Sequence, residues 1–466
     1  MGEDLDAADQ AVWGLARAFP EFSAHVRVTT SQLTAFAIGC TILLVALVLV
    51  PGVMLFALAV ALGAGFLLNV AFRCLLVGVG AYEKQKQYEL PANTTLPIFS
   101  ILVPVYRESE VLPALIQHLR AMDYPADKLD IRIVVEADDV ETVAAANAFT
   151  DFVTVVCVPP CHPRTKPKAC NFALPGARGE FLVIYDAEDK PEPDQLRKAV
   201  AAFRAAENSL ACLQARLSFY NATDSWLAAL FTLDYELWFG FLLPGLATMA
   251  VPMPLGGTSN HFRTDVLREI RGWDPFNVTE DADLGIRLAQ KGYRVSTLDS
   301  TTFEEATRTF GNWTRQRSRW MKGYMQTWLV HMRDPRALLR CVGLRGFVTF
   351  QLFIGGAFFS ALINPLLWLL FAVTHVPGFS LRFGFFAEWL GIFALGSLVL
   401  GNAIFTYLMM FGAVKRGWLQ LVPCGVTSFF YWLLISVAAY RGLWQLIRRP
   451  FYWEKTQHGV ARGATA

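Results

Sequence analysis

Apolar positions along this chain fall into two kinds of block. From residue 33 to residue 79 they are nearly continuous, broken only at Pro51-Gly52. Each half is close to the roughly 20 residues that a bilayer core requires, which predicts two membrane helices over 33–50 and 53–79. Three more long apolar stretches lie near the other end, at 346–373, 385–412 and 419–440. The last is broken near Pro423-Cys424-Gly425, so it either crosses or re-enters.

Between these regions the period changes. Runs of strand length at 98–105, 131–136, 152–158, 181–185 and 210–219 alternate with helical patterns such as 111–122 and 195–206. That alternation predicts a mostly parallel sheet with helices on both faces. Ligands on such sheets sit at the carboxyl ends of the strands. Glu136, Asp138 and Asp139 follow one predicted strand, and Asp186 follows another.

Two further segments are mixed. Residues 223–255 are rich in Leu, Phe and Trp but carry Asp234 and Glu236, so the helix there is expected at the membrane surface or plugged against the spans. Residues 307–340 concentrate Arg and Trp, as an interfacial segment does. Arg73, inside the second span, is expected to face protein or to snorkel. The chain thus divides into an N-terminal segment (1–31), two membrane helices (32–81), a catalytic domain with interfacial helices near 223–255 and 310–340 (82–340), C-terminal membrane helices (341–441) and a tail (442–466). Lys84 and Lys86 favour the cytoplasm for the domain, and Arg441, Arg448, Arg449 and Lys455 favour it for the tail. Three C-terminal spans would leave that tail outside, so the parity stays open.

Composition sharpens this picture. Of 466 residues 54% are apolar and only 17% charged, too apolar a balance for a purely soluble protein. A net charge of +2 gives no reason to expect a nucleic-acid partner. The eight cysteines show no framework spacing, and Cys157, Cys161 and His162 have no second ligand pair, so free thiols are expected. The apolar region starts too late and runs too long for a cleavable signal peptide.

Several short motifs can carry chemistry. Asp186-Ala187-Glu188-Asp189 follows a predicted strand; hard divalent cations take carboxylate oxygens, often together with substrate phosphates, although an acidic turn would read the same way. Thr279-Glu280-Asp281 opens a helix, where Thr can cap and acids suit the dipole; Asp281 can instead serve as a general base. In Gln316-Arg317-Ser318-Arg319-Trp320, Arg can pair with a diphosphate and Trp offers a face for a sugar. Lys166 and Lys168 can reach phosphate, and Gly256-Gly257-Thr258 allows close backbone approach. The sequon Asn277-Val278-Thr279 is read as incidental, given its overlap with the site.

In this order, the motifs resemble glycosyltransferase family 2, in particular its processive membrane polysaccharide synthases. The resemblance covers about residues 97–325 and implies a GT-A-like, Rossmann-like α/β domain inserted between transmembrane helices, with interfacial amphipathic helices. It implies that Pro104, Tyr106 and Glu108 line the uridine pocket, that Glu136 and Asp138 contact the nucleotide, and that Lys168 lies near the diphosphate. It puts Mg2+ or Mn2+ on Asp186 and Glu188, with Asp189 as the rival ligand. Thr279-Glu280-Asp281 would supply the base, Gly257 and Thr258 would sit near the acceptor, and Gln316, Arg319 and Trp320 would hold the diphosphate and acceptor sugar.

The expected activity is inverting transfer from a UDP-sugar, with glucose as the first guess, to a growing β-linked polysaccharide exported across a bacterial inner membrane. The lipid bilayer and periplasmic export subunits are the implied partners. A single-addition transferase acting on a lipid carrier, and an inactive transferase serving as receptor or transport subunit, are the rival readings.

Overall fold

The computed structural model describes residues 2–82, 88, 90, 94–374, 376 and 385–453. Lys84, Lys86 and Lys455, which favoured the cytoplasm in the sequence, lie outside the described residues. Eight strands form one sheet: β1 (Phe99–Val105), β2 (Leu129–Glu136), β3 (Thr154–Val158), β4 (Phe181–Ile184), β5 (Lys190–Pro191), β6 (Leu210–Phe219), β7 (Asn260–Arg263) and β8 (Arg294–Glu304). Their order is β3-β2-β1-β4-β7-β6-β8-β5. Only β5 and β7 run against their neighbours. In β1 the register sets Phe99 opposite Leu129 on one side and Phe181 on the other.

The two-residue alternation of a strand divides the core. Ile101, Val103, Ile133, Val135 and Val183 pack on one face beneath the helices Leu112–Arg120 and Gln195–Ala205. Leu102, Val134, Leu182 and Ile184 point to the other face and join a core that continues into the membrane helices. The sheet and the membrane region therefore share one apolar interior.

The helices around the sheet include α1 (Gly2–Ala18), α2 (Thr30–Leu49), α3 (Pro51–Tyr82), α4 (Lys166–Ala173), α5 (Trp226–Thr248), α6 (Glu280–Gln290), α7 (Phe310–His331), α8 (Pro335–Thr374), α9 (Phe385–Lys415) and α10 (Ser428–Arg448). Among the described residues, α2, α3, α5, α8 and most of α9 are each long and apolar enough to cross a membrane. The short helix Leu419–Val426 and α10 make a sixth candidate as a pair bent by 64°, beside the Pro423-Cys424-Gly425 break. No residue of α2 is buried, whereas 78% of the apolar window of α5 is enclosed by the rest of the protein. Helix α5 is thus the buried joint between the sheet and the spans.

That joint depends on small residues. A Cβ on Gly80 would stand 2.1 Å from the Phe241 carbonyl oxygen, and one on Gly245 2.3 Å from that of Leu76. Backbone-to-backbone contact of this kind is how apolar helices pack when side chains give way. Helix α7 approaches α10 in the same manner, with Gly442 set against the Ser318 carbonyl.

A buried ionic network fixes α6. Arg287 Nε donates to Asp283 Oδ2 at 2.7 Å, and its Nη atoms reach the Ile270 and Gly272 carbonyls. His331 Nε2, at the end of α7, lies 3.0 Å from Asp283 Oδ1. Removing one partner of a buried pair strands the other charge, at about 3–5 kcal/mol, whereas an exposed pair is worth about 0–1 kcal/mol. Arg287→Met is therefore expected to lower the unfolding midpoint in detergent sharply. Arg178→Met, which removes the 65% exposed partner of Asp130, should barely move it. Equal shifts from the two variants would refute this account.

Candidate active site

A cavity of about 390 Å³ lies where the carboxyl ends of β1, β2 and β4 meet α6, α7 and the membrane helices. After β1, Pro104, Tyr106 and Glu108 line it, as does Glu136 at the end of β2. Asp138, one turn further on, points away to Arg164 at 2.6 Å, and it is Arg164 that reaches the cavity.

The two lysines separate. Lys168 is fully buried, 2.7 Å from Glu136, and also donates to the Cys161 carbonyl at 3.3 Å, so it is held inside the wall. Burial pushes the Glu136 carboxyl above its usual range, and Lys168 pulls it part of the way back. Lys166, at the start of α4, faces the cavity instead, paired with Asp186 and donating to the Gly257 carbonyl at 2.6 Å. Burial works against its charge, but Asp186 and Glu280 outweigh that and raise its pKa. The structure thus moves the expected position of a phosphate-facing lysine from 168 to 166.

The acidic loop after β4 is folded around Asp189. The Asp186 backbone N–H donates to Asp189 Oδ2 at 2.8 Å, and the Thr258 hydroxyl donates to the same carboxylate. Asp189 is fully buried, and burial together with the charges of Asp186 and Glu188 holds its carboxyl well above the usual range. Asp186 and Glu188 are left lining the cavity. Thr258, expected beside the acceptor, spends its hydroxyl on this loop, while Gly257 lies against Asp281: a Cβ there would sit 3.4 Å from its Oδ2.

Two carboxylates facing a cavity that also presents a lysine and an arginine form a hard-oxygen donor set for a divalent cation shared with donor phosphates. Among the described residues no group of three His, Cys, Asp or Glu side chains converges to hold an ion unaided. The fit is therefore to a cation completed by substrate.

Helix α6 presents Glu280 and Asp281 at its first turn. Asp281 Oδ1 accepts from the Ala282 N–H at 2.7 Å. Burial pushes its carboxyl up to about 6, against the pull of Ala282, Lys166 and Arg319. Burial and the neighbouring Asp281 push Glu280 up to about 8. At neutral pH the pair therefore shares about one proton, with Asp281 its more acidic member. Thr279 lines the cavity but its side chain does not cap the helix; it packs where Gly323 of α7 has no side chain. Asn277 of the sequon is buried and donates to Thr327 at 3.0 Å, which makes it structural.

Helix α7 brings Gln316, Arg319 and Trp320 to the same space. Arg319 lies 4.6 Å from the Trp453 ring. Trp320 stacks on Tyr235 with ring centroids 5.9 Å apart and an interplanar angle of 26°. The intervening Arg317 turns to the membrane helices, pairing with Asp234 of α5 and donating to the Tyr431 hydroxyl of α10 at 2.6 Å.

Sequence reasoning did not assign Arg73, Arg164, Asp234, Tyr235, Glu304, Glu305, Tyr324 and Trp453 to the site, yet all line the cavity. Arg73 and Asp234 carried a signal, a charge inside an apolar run. Trp453 carried none. It is delivered by a return of the chain after α10, pinned where buried Lys322 donates to the Tyr452 carbonyl at 2.6 Å.

Comparison with known proteins agrees with this geometry. Residues 97–323 match the family model described as glycosyltransferase like family 2. The probable glycosyltransferase YdaM of Bacillus subtilis is 26% identical over 49% of this chain and 55% of its own length. A probable glucomannan 4-beta-mannosyltransferase of rice (Oryza sativa subsp. japonica) is 27% identical over 49% of this chain and 40% of its own length. The chain thus spans about half the length of these relatives. A beta-monoglucosyldiacylglycerol synthase of Synechocystis is 26% identical over 78% of this chain and 76% of its own length. The fold matches a mannosyltransferase from Pyrobaculum calidifontis, solved with GDP-Man and Mn2+, at a TM-score of 0.53 and 18% identity, over 84% of this chain and 99% of that one. The α/β sheet is thus GT-A-like, and residues 97–323, flanked by long apolar helices, match glycosyltransferase family 2.

Proposed function

We propose that the chain transfers a sugar, glucose in the first instance, from a UDP-sugar to the end of a growing β-linked polysaccharide, with inversion, and that the polymer leaves through the membrane as it grows. The observation that carries this is the convergence in one cavity of Asp281, Lys166, Arg319, the Asp186/Glu188 pair and Trp320, with membrane helices forming the far wall. We place the catalytic domain on the cytoplasmic face of a bacterial inner membrane, as Arg441, Arg448 and Arg449 around the end of α10 favour. Export subunits on the periplasmic side would then receive the product.

In this reading Asp281 takes the proton from the acceptor hydroxyl. The freed oxygen attacks the anomeric carbon from the face opposite the diphosphate, and the bonding pair of the departing C–O bond leaves with UDP. Lys166 and Arg319 hold the charge that collects on the leaving group. Asp186 and Glu188 would hold Mg2+ or Mn2+, which when bound neutralises the diphosphate. Pro104, Tyr106, Glu108, Glu136 and Gln316 would border the donor, and Trp320 would place the acceptor sugar against its ring.

A second reading, single addition to a lipid, is favoured by one observation. The match to the Synechocystis glucolipid synthase runs over 380 residues and so extends beyond the catalytic domain.

The deciding experiment is incubation of the protein in nanodiscs with a panel of UDP-sugars and Mg2+ or Mn2+, following UDP release and product size. Long polymer supports the first reading and a short lipid-linked product the second. In this assay chelation should abolish turnover and either cation should restore it. Asp281→Asn is expected to lose about 10²–10⁴-fold in rate with UDP affinity unchanged, the magnitude of lost general-base catalysis. Loss of UDP binding instead would remove Asp281 from that role.

The base must be ionised to act, and its folded pKa is raised to about 6. Activity should therefore fall as pH drops through about 6, by about tenfold per unit below it, and level off above. A profile of kcat/KM that stays flat between pH 5 and 8 would contradict this. Lys166→Met should raise the KM for donor with the fold intact. Lys168→Met should lower the unfolding midpoint by stranding Glu136. The reverse pattern would restore Lys168 to the phosphate.

A further inference from the structure

Arg73 is the one charged side chain that α3 sends into the cavity. It is 9% exposed. Its Nε donates to Asn69 Oδ1 at 3.2 Å, and its guanidinium lies 5.9 Å from the Phe353 ring and 5.7 Å from that of Phe405. Among the described residues its Nη atoms have no hydrogen-bond partner and no carboxylate lies within ion-pair distance. Asp234, the carboxylate facing the same end of the cavity, already accepts from Arg317 and from the Tyr431 hydroxyl at 3.1 Å. Glu236, further along α5, pairs with Arg416 at 2.8 Å. This end of the site therefore holds two arginines against one carboxylate. Asp234 acts on Arg73 through space without touching it, and a buried arginine with no carboxylate in ion-pair contact is expensive in a membrane and marks a place where an anion is received.

Depth points to the kind of anion. From Pro51 to Arg73 the helix rises about 33 Å at 1.5 Å per residue. A bilayer core is about 30 Å thick, so a helix entering at Pro51 brings Arg73 out at the opposite headgroup level. There it turns toward protein, against the rings of Phe353 of α8 and Phe405 of α9, and Ala357 of α8 and Ile435 of α10 add apolar surface to the same cavity. Tyr324, one turn after Trp320 on α7, lines the same space on the catalytic side.

We infer that Arg73 receives the phosphate of a membrane lipid whose headgroup enters the acceptor end of the cavity. That lipid either accepts the sugar itself or carries the chain that accepts it. The inference rests on the transferase reading above and narrows its acceptor to an anionic lipid. Arg73 is a binding residue here, distinct from the donor-side cations Lys166 and Arg319.

The test uses the full chain in nanodiscs of phosphatidylcholine doped with phosphatidylglycerol, with retained lipid identified by native mass spectrometry and UDP affinity measured by calorimetry. The wild type should retain phosphatidylglycerol at least about tenfold in excess of its share of the bilayer. Arg73→Gln should lose that preference, Arg73→Lys should keep part of it, and both should bind UDP as the wild type does. Inorganic phosphate at millimolar concentration should not displace the lipid; displacement would make the site one for free phosphate and overturn the assignment. Retention in proportion to the bilayer by the wild type, or unchanged preference in Arg73→Gln, would overturn it too. A drop in UDP affinity in Arg73→Lys would reassign Arg73 to the donor. Lipid preference without turnover on any UDP-sugar would sink the transferase reading and leave the lipid site standing.

Discussion

The pairing of Arg317 with Asp234 and Tyr431 is the contact on which the site depends. It joins the helix that carries Arg319 and Trp320 to one helix enclosed by the protein and another at the end of the chain. Arg317 also lies 4.6 Å from the rings of both Phe231 and Trp320, so the same guanidinium that crosses to α5 backs the aromatic ring of the acceptor wall. A buried ion pair is weak evidence of stability, because desolvation offsets much of its attraction. Its use here is geometric: α7 has one rotation about its axis that satisfies Arg317, and that rotation turns Gln316, Arg319 and Trp320 into the cavity.

The catalytic end follows a charge argument. Asp186, Glu188, Asp189, Glu280, Asp281 and Glu304 crowd around Lys166 and Arg319. Burial raises the carboxyl pKa values of Asp189, Glu280, Asp281 and Glu304, and repulsion from neighbouring carboxylates adds to it at Asp189, Glu280 and Glu304. The wall distributes the burden. Asp189 is withdrawn and hydrogen-bonded to hold the loop, and Asp281 is the more readily ionised member of its pair with Glu280. A divalent cation on such a cluster reverses the local balance and favours ionisation of every carboxyl near it. These carboxyls, Lys166 and Arg319 are thereby coupled through one field.

Much of this was legible in the sequence where burial is uniform. Strand β4 and, apart from Ser100, strand β1 are apolar on both faces and announce themselves as continuous runs, while β2 and β6 show as apolar-rich runs interrupted by Asp130, Arg132, Gln214 and Arg216. Strand β7 did not, because Asn260 and His261 are polar; they are buried with partners supplied by Gly256 and Leu213, a tertiary arrangement that no local pattern encodes. Strand β8 hides for the same reason, since Ser300 and Thr302 are satisfied by Gln195 from a helix. The motif residues were found by type and order, but their facing was not. Lys166 and Lys168 differ by two helical positions, so they point to nearly opposite sides of α4, and only the packing of Glu136 decides which one is enclosed. Asp186, Glu188 and Asp189 look equivalent in a string; the Thr258 hydroxyl, seventy residues on, separates them.

The membrane half obeys a further constraint. Helices α3 and α5 meet through Gly80 and Gly245, with each Cβ position filled by the other helix's backbone. Contact at that range leaves no freedom to slide, since a shift of one residue would bring a side chain where only a glycine fits. Helix α3 carries Arg73, and α5 carries Asp234, Tyr235 and Trp238, so the glycine contact sets the register of the charges and rings facing Trp320. The wall that carries Trp320 is thus specified by packing between apolar helices, while the wall that carries Asp186 and Glu188 is specified by hydrogen bonds at the ends of strands. The cavity exists because Arg317 locks the two together, so the position of Asp281 relative to Trp320 depends on both kinds of contact.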